Sequence, residues 1–269
     1  DRVLNNPDDT VEKEYLSVGY TFEHRFNDNW QLRNEFRYVA DNFNFGTLAV
    51  PAFFNEPSGL LTRSISTQNN ERDNYSLYTN VQGRFNTGAI EHNLLFGVDL
   101  SREEDRLGGR GGLSPQVNPE FFSTIVIFDP DYSLTAPDVD DAPVTFIRDT
   151  TADRLGIYLQ DQIYLLDNLI VLAGLRYDTV DQDTTGGTLT PFGDNVTETS
   201  QNDDAVTPRI GVVYQPTETI ALYANYAQSF TPNTETDVNG LPLEPETGDG
   251  FEVGVKADLI PNRLSATLA

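Results

Sequence analysis

The sequence contains no cysteine, only one tryptophan and two histidines, and few bases relative to its acids. Without cysteine, the chain can form neither disulfide bonds nor thiolate metal sites. The 17 Lys and Arg residues stand against 42 Asp and Glu residues, which gives a formal net charge of -25 at pH 7. Because the phosphate backbone of DNA or RNA would repel such a chain, we expect no nucleic-acid partner.

Long apolar runs are also missing. A membrane-spanning helix needs about 20 apolar residues in succession, whereas the most apolar run, Leu165 to Leu175, is interrupted by Asp167 and Asn168. A helical membrane protein is therefore excluded. The first residues, Asp1 to Asn6, lack the apolar stretch of a signal peptide, and Leu264 to Ala269 ends within an alternating segment. We expect the chain to be an internal piece of a longer protein.

What the sequence does contain is apolar residues at every second position. From Tyr15 to Phe26, Leu16, Val18, Tyr20 and Phe22 alternate with Ser17, Gly19, Thr21 and Glu23. A period of two predicts a β-strand with one apolar and one polar face. The pattern resumes after the turn Asn27-Asp28-Asn29, which predicts a hairpin. Repetition along the chain predicts about ten strands: Tyr15–Phe26, Trp30–Tyr38, Tyr75–Phe85, Ile90–Leu100, Leu155–Leu165, Leu169–Thr179, Thr207–Tyr214, Ile220–Phe230, Phe251–Asp258 and Leu264–Ala269.

The connections between these strands alternate between very short and very long. The turns within hairpins, such as Asn86-Thr87-Gly88-Ala89 or Ile260-Pro261-Asn262, are a few residues long. The connections between hairpins are long and polar: Asp41–Asp73, Ser101–Asp153, Val180–Ala205 and Thr231–Gly250. Short periplasmic turns and long extracellular loops are typical of bacterial outer-membrane barrels. The sequence therefore predicts an all-β, antiparallel wall of a transmembrane β-barrel.

The charges are distributed unevenly along this predicted wall. Asp181 to Asp204 holds six acidic residues and no Lys or Arg, so the acid is concentrated in the loops. The bases instead fall on the polar sides of the strands, which we assign to the barrel lumen: Arg25, Arg33, Arg37, Arg84, Arg154, Arg176, Arg209 and Lys256.

From Leu155 onward the residues resemble a known family. The segments Gly174-Leu175-Arg176-Tyr177-Asp178, Thr207-Pro208-Arg209-Ile210-Gly211 and Phe251-Glu252-Val253-Gly254-Val255-Lys256 follow one another as in TonB-dependent siderophore receptors. Leu95-Phe96-Gly97-Val98-Asp99 extends the resemblance more loosely to earlier hairpins. Members have a barrel of about 22 strands around an N-terminal plug and import ferric chelates across the outer membrane of Gram-negative bacteria. The resemblance makes residues 1–269 part of that barrel, with the plug and the C-terminal strands absent.

The resemblance also implies partners and a binding site. We expect a ferric siderophore as ligand, with iron carried as the chelate and no covalently bound cofactor. We also expect a TonB-type energy transducer that acts through the missing N-terminal region. Outer-membrane lipid should surround the wall. Aromatic and Arg side chains in extracellular loops bind the chelate in the family, which makes Arg110, Phe121, Phe122 and Tyr132 the candidates here. Lumen-facing Arg residues are expected to contact the plug.

No catalytic or metal-binding set stands out. His24 and His92 both lie near short turns and are expected to be interfacial rings, together with Trp30. Gly108-Gly109-Arg110-Gly111-Gly112 reads as a flexible loop, since no helix start follows it. Two alternatives remain open: an outer-membrane barrel hydrolase, and a secreted β-sandwich whose apolar faces pack against each other.

Overall fold

The computed structural model describes residues 5–6, 9–132, 139–233, 243–260 and 263–269. Within these ranges the chain forms one antiparallel sheet of 11 strands. The strands are β1 Val11–Arg25, β2 Trp30–Asn55, β3 Leu60–Thr87, β4 Ile90–Gly111, β5 Phe122–Val126, β6 Val144–Leu166, β7 Leu169–Thr188, β8 Asn195–Thr217, β9 Ile220–Thr231, β10 Glu246–Ile260 and β11 Leu264–Leu268. Two single-turn 3-10 segments, Pro119–Phe121 and Val139–Asp141, are the only helical segments of the described chain, and it has no helix long and apolar enough to cross a membrane.

Neighbouring strands in the sheet follow chain order. The order runs from β1 to β4 and then from β6 to β11, while the short β5 pairs with the Leu60–Ser64 end of β3. Each predicted hairpin is present, which confirms the predicted pairings. Pro261 and Asn262, part of the last predicted turn, lie outside the described residues. The count of about ten is one strand short because β5 is too brief to show an alternating pattern.

The strands are much longer than the sequence pattern indicated. β2 continues to Asn55, and β3 begins at Leu60. The predicted polar loop Asp41–Asp73 is therefore largely a paired hairpin. β4 runs to Gly111, and the expectation of a flexible loop at Gly108–Gly112 is wrong. The extension of β4 is polar or small on both faces, and in β2 the apolar residues are interrupted by register shifts between Phe45 and Leu48 and between Pro51 and Phe53. Regular apolar alternation is lost there, although the backbone hydrogen-bond ladder continues.

The register places apolar residues on one side of the sheet, here called the apolar face. Tyr20 pairs with Phe36, Phe36 with Leu77, and Leu77 with Leu100. Val18, Phe22 and Val253 on this face are each more than half exposed, at 56%, 51% and 54%. Because no second layer formed by the described residues covers the apolar face, the β-sandwich alternative is wrong. A sheet face of this kind needs an apolar solvent.

The apolar face ends at a sharp boundary along each strand. On β4 it carries Leu94 to Leu100 and then changes to Arg102 and Glu104, and on β6 it changes from Leu155 to Asp153. With Ile90 and His92, which precede Leu94 on the same face, the stretch runs from Ile90 to Leu100 and matches the roughly 9–11 tilted residues that cross a bilayer. Beyond this boundary the strands continue into the extracellular part of the sheet, so the predicted loops Asp41–Asp73 and Val180–Ala205 are mainly paired strands.

The face assignment predicts the effect of a charge at Val81. Val81 lies on the apolar face of β3 between Leu32 and Phe96. Val81→Arg should lower the free energy of unfolding of the full-length protein in lipid vesicles by about 2–4 kcal/mol, the cost of Arg at the bilayer midplane. Gln82→Arg, one residue along on the opposite face, is the matched control and should be nearly neutral. Denaturant titration measures both, and equal losses would contradict the assignment.

Candidate functional site

The side of the sheet opposite the apolar face, here called the polar face, carries ion pairs between neighbouring strands. Four of the seven Arg residues predicted for the lumen are paired with carboxylates on this face. The pairs are Arg33 with Glu23 and Glu35, Arg84 with Glu91, Arg154 with Glu103, and Arg176 with Asp99 and Asp178. Arg37 instead donates to the hydroxyls of Ser17 and Tyr15. Arg209 lies on the same face and forms no such contact in the described chain.

Arg176 has the largest set of contacts on the polar face. Its Nη1 lies 2.7 Å from Asp99 Oδ2, and its Nε lies 2.9 Å from Asp178 Oδ1. The guanidinium carbon is 5.3 Å from the centroid of the Tyr158 ring, within cation–π range. Because the guanidinium joins carboxylates of β4 and β7, it ties the wall together across β6.

Glycines on the polar face make room for these side chains. A Cβ at Gly156 would collide with the Arg176 guanidinium, and one at Gly97 would collide with the Tyr158 ring. The Tyr223 ring lies over Gly254 in the same way. At Gly174 and Gly211, in contrast, a Cβ would make only ordinary contacts of 3.5 and 3.7 Å. A side chain at Gly97, Gly156 or Gly254 would therefore displace the side chain that lies over it.

The sequence analysis missed an ion-pair cluster in the extracellular part of the polar face. Arg72 Nη2 lies 2.6 Å from Asp105 Oδ2, and Arg72 Nε lies 3.6 Å from Glu103. Hydrogen bonding to Asp105 raises the pKa of the Arg72 guanidinium above its ordinary value. Arg72 and Asp105 fall in segments that were assigned to loops. A polar period of two, with Asn70, Arg72 and Asn74 on one face, was the available signal.

A cleft of about 560 Å³ lies at the extracellular end of the sheet. Its lining includes the predicted residue Arg110 together with Phe45, Phe146 and Thr145. Arg110 Nη1 donates to the carbonyl of Ala142 at 3.1 Å, which holds the side chain against the loop that precedes β6. The sequence analysis did not select Phe146, because its segment had been assigned to a loop.

The other predicted ligand residues surround a small apolar cluster next to this cleft, here called the loop core. The loop core consists of Ala49, Ile65, Phe121, Val139 and Ala142. Phe121 is only 5% exposed, so its ring packs inside this cluster. Phe122 begins β5, is half-buried and pairs with Ser64. The structure thus brings Arg110, Phe121 and Phe122 into one region.

Arg63 fixes the loop core to the sheet. It is 1% exposed, and its Nε donates to Ser123 Oγ at 3.2 Å. Burial lowers the pKa of the Arg63 guanidinium, and the charges of Asp9 and Tyr132 oppose that shift. Tyr132, the fourth predicted ligand residue, is half-buried and lies close enough to Arg63 to act on its charge. An Arg buried this completely is a structural element of the loop region that the sequence pattern gave no reason to select.

The two histidines lie on the apolar face near short turns, as predicted. The ring of His24 contacts Phe26 at 4.8 Å between centroids. His92 has polar partners in addition: its Nδ1 lies 2.6 Å from Asp161 Oδ2, and its Nε2 lies 2.7 Å from Thr87 Oγ1. The sequence analysis did not select Asp161, a carboxylate that lies on the apolar face of β6 opposite Leu94. In the described residues no group of three or more His, Asp or Glu side chains could hold a metal ion.

These features define a class of protein. The described chain is a single antiparallel sheet whose apolar face is uncovered and whose polar face is crossed by ion pairs. Its strands continue beyond the apolar stretch. Such a sheet is the wall of a transmembrane β-barrel. The match to known sequences makes the assignment specific: the family described as "TonB dependent receptor-like, beta-barrel" matches residues 1–269. The chain belongs to this family and is an outer-membrane protein of the Gram-negative type.

Individual relatives agree with the family assignment. The chain is 33% identical over 280 residues to the metal-pseudopaline receptor CntO of Pseudomonas aeruginosa, covering 100% of the chain and 37% of that protein. It is 27% identical to the ferrichrome outer membrane transporter/phage receptor of Escherichia coli K12, covering 92% of the chain and 34% of that protein. The chain therefore spans little more than a third of the curated relatives it matches.

Solved structures show the same fold. The closed form of the ferric-catecholate import receptor Fiu from Escherichia coli K12 aligns with a TM-score of 0.77 at 20% identity, covering 98% of the chain and 41% of that structure. The siderophore receptor PiuA from Acinetobacter baumannii aligns with a TM-score of 0.73 at 21% identity, covering 98% of the chain and 40% of that structure. In both cases the aligned part is a segment of the larger protein.

The glycine contacts predict a difference between two alanine substitutions. Gly156→Ala should displace the Arg176 guanidinium from Asp99 and Asp178 and lower the free energy of unfolding by about 1–3 kcal/mol, the range for charged groups left without partners. Gly211→Ala, also on the polar face, is the matched control and should change stability by less than about 1 kcal/mol. Denaturant unfolding of the full-length protein tests this, and equal effects would count against the proposed role of Gly156.

The His92 contacts predict a second effect on stability. His92→Ala leaves the Asp161 carboxylate without its partner on the bilayer-facing side and should cost roughly 1–3 kcal/mol of unfolding free energy. The double variant His92→Ala/Asp161→Ala removes both polar groups and should recover part of that loss. His24→Ala, which removes only ring contacts, serves as the control. A double variant that is less stable than His92→Ala would show that the pair is not coupled.

Proposed function

We propose that this chain is the barrel wall of a receptor that imports ferric siderophore complexes across the outer membrane with energy from a TonB-type transducer. The observation that carries the proposal is the arrangement of the two faces, since lipid contacts the apolar face while the ion-paired polar face lines a lumen below the extracellular cleft. The names of the relatives support it, because they are receptors for ferrichrome, ferrioxamine and metal-pseudopaline.

The chelate binds first, in this proposal, at the extracellular cleft. Phe45 and Phe146 offer aromatic surface, and Arg110 offers a guanidinium for the oxygen ligands that a siderophore places around iron. Phe122 and Tyr132 extend this surface at the loop core. Phe121, being buried, supports the cleft from behind. Iron is cargo carried as the chelate, and we propose no covalently bound cofactor.

After capture, the chelate passes through the lumen when the segment that fills it moves. We propose that Arg33, Arg37, Arg84, Arg154, Arg176 and Arg209 face that segment, the plug, and that the transducer acts through a region N-terminal to the barrel. Outer-membrane lipid contacts the apolar face. The net charge of -25 supports the absence of a nucleic-acid partner.

A hydrolase is the second candidate, and one observation favours it. Thr87, His92 and Asp161 form a hydroxyl–imidazole–carboxylate row, the order of groups in a catalytic triad. The family, however, consists of receptors rather than enzymes. We propose that the row is structural and that the protein is not an enzyme. If the row is structural, Thr87→Val leaves chelate uptake unchanged. The hydrolase alternative requires that the full-length protein cleaves lipid or nitrophenyl esters and that Thr87→Val abolishes this cleavage.

The cleft proposal predicts reduced affinity in two variants. In the full-length receptor, Arg110→Gln and Phe146→Leu should each weaken binding of a ferric siderophore about fivefold to tenfold, since one charged or aromatic contact contributes about 1 kcal/mol or more. Binding of radiolabelled iron chelate to whole cells at low temperature measures the affinity. Arg106→Gln removes an exposed Arg paired with Glu104 outside the cleft, and should have no effect. Unchanged affinity in both cleft variants would overturn the assignment of the cleft.

A further inference from the structure

The apolar face carries a single carboxylate within the apolar stretch of the described strands. This carboxylate is Asp161 of β6, which lies between Leu159 and Ile163 on the same face. Its cross-strand neighbours are Leu94 on β4 and Ala173 on β7, neither of which is polar. The same stretch of the described strands holds no Lys or Arg on this face. An acid that faces hydrocarbon is costly, and such residues commonly serve a function.

A row of hydrogen bonds orients Asp161. Its Oδ2 lies 2.6 Å from His92 Nδ1, and His92 Nε2 lies 2.7 Å from Thr87 Oγ1. A neutral imidazole completes this row, because the Thr87 hydroxyl can donate to Nε2 while the Nδ1–H group donates to Asp161. In this arrangement the negative charge of the carboxylate is not compensated by the described chain.

The second oxygen of the carboxylate is left without a partner. Asp161 Oδ1 is covered by neighbouring atoms and forms no hydrogen bond within the described chain. A covered carboxylate oxygen without a donor is unfavourable. The Asp161 side chain as a whole is 22% exposed, so a ligand in the lipid can reach the carboxyl group. Rotation about the soft Cβ–Cγ bond then brings Oδ1 toward that ligand.

The carboxylate lies near the periplasmic end of the apolar face. On this face only Ile163 and Leu165 separate Asp161 from the turn Asp167-Asn168. Across the sheet, the rung of paired residues that contains Asp161 runs to Trp30 on β2. The short turns of outer-membrane barrels face the periplasm, and Trp is enriched at the membrane–water interface. The headgroup of a phospholipid in the periplasmic leaflet is therefore within reach of Asp161.

Stacked rings hold the site in place from one side. The rings of Phe85 and His92 are nearly parallel, with centroids 4.8 Å apart. On the other side of Phe85 lies the ring of Trp30, with centroids 6.4 Å apart. This row immobilises His92, which in turn fixes Oδ2 of Asp161. A carboxylate that is already oriented loses little entropy when it binds a ligand.

The chemistry of the site selects the kind of lipid. A primary ammonium brings a positive charge and three N–H donors, whereas a quaternary ammonium brings the charge without a donor. An anionic headgroup would be repelled by the carboxylate. The headgroup that fits the uncompensated charge and the unpartnered Oδ1 is therefore that of an aminophospholipid, such as phosphatidylethanolamine.

We infer that Asp161, held by His92 and Thr87, binds the primary ammonium of an aminophospholipid in the periplasmic leaflet. The inference goes beyond the proposed function, since it needs only the outer-membrane location of the wall and does not involve import of a chelate. A lipid that binds the folded barrel and not the unfolded chain also stabilises the barrel.

The first test varies the lipid and leaves the protein unchanged. The full-length receptor in detergent micelles is mixed with dioleoyl-phosphatidylethanolamine, with its N-methylated and N,N-dimethylated derivatives, or with dioleoyl-phosphatidylcholine. Native mass spectrometry measures the lipid retained by each receptor. Affinity should fall as methyl groups replace N–H donors, by about tenfold over the series, the equivalent of one charge-assisted hydrogen bond. Equal affinity for all four lipids would overturn the inference.

The second test varies the protein. Asp161→Asn keeps the shape of the side chain but removes its charge, and should lower the affinity for phosphatidylethanolamine about tenfold, to that for phosphatidylcholine. Asp167→Asn is the matched control: it removes a carboxylate from the exposed turn and should leave lipid binding unchanged. Heat-dependent mobility in gel electrophoresis confirms that each variant is folded. A folded Asp161→Asn variant with wild-type affinity refutes the site, and if this variant does not fold, the lipid series decides alone.

Discussion

Backbone hydrogen bonding is the constraint on which the rest of this structure depends. Hydrocarbon offers no partner for N–H and C=O groups, so a chain that crosses it by strands must pair each strand with its neighbours. From β2 to β10 every long strand has a partner on both edges. That ladder leaves the side chains free to differ between the two faces, and each strand can present Leu, Val and Phe to lipid while it presents Arg, Asp and Glu to the interior.

The charges are sorted by face as a result. Most bases of the strands lie on the polar face, where carboxylates of the same face pair with many of them, as with Arg176, Asp99 and Asp178. The excess of acid lies elsewhere, in the loops and on the extracellular continuation of the apolar face, where Glu104 and Asp153 are found. The polar face of this part of the wall is therefore far closer to neutrality than the net charge of -25 of the chain indicates. Paired charges allow a polar face without a strong field along it.

The sequence predicted those parts of the fold in which the two faces differ in polarity. Within the bilayer, alternation at Val18 and Phe22 identified the strands, their faces and their pairing. It failed beyond Leu100, because Arg102 and Gly109 alike are polar or small and no contrast between faces remains. Among the residues of the candidate site, the lumen-facing Arg residues could be selected from the same alternation. The positions of Arg63, Asp161 and Phe146 could not, since each depends on contacts between segments far apart in the sequence.

The rings that lie over glycines have a consequence for the shape of the passage. At Gly97 and Gly254 the rings of Tyr158 and Tyr223 occupy the space that a side chain on the neighbouring strand would fill. A ring that lies flat against the backbone projects less than one that stands upright, so large residues are accommodated without narrowing the bore. The polar face thus carries aromatic packing at Gly97 and Gly254 while keeping a shallow relief at these two positions.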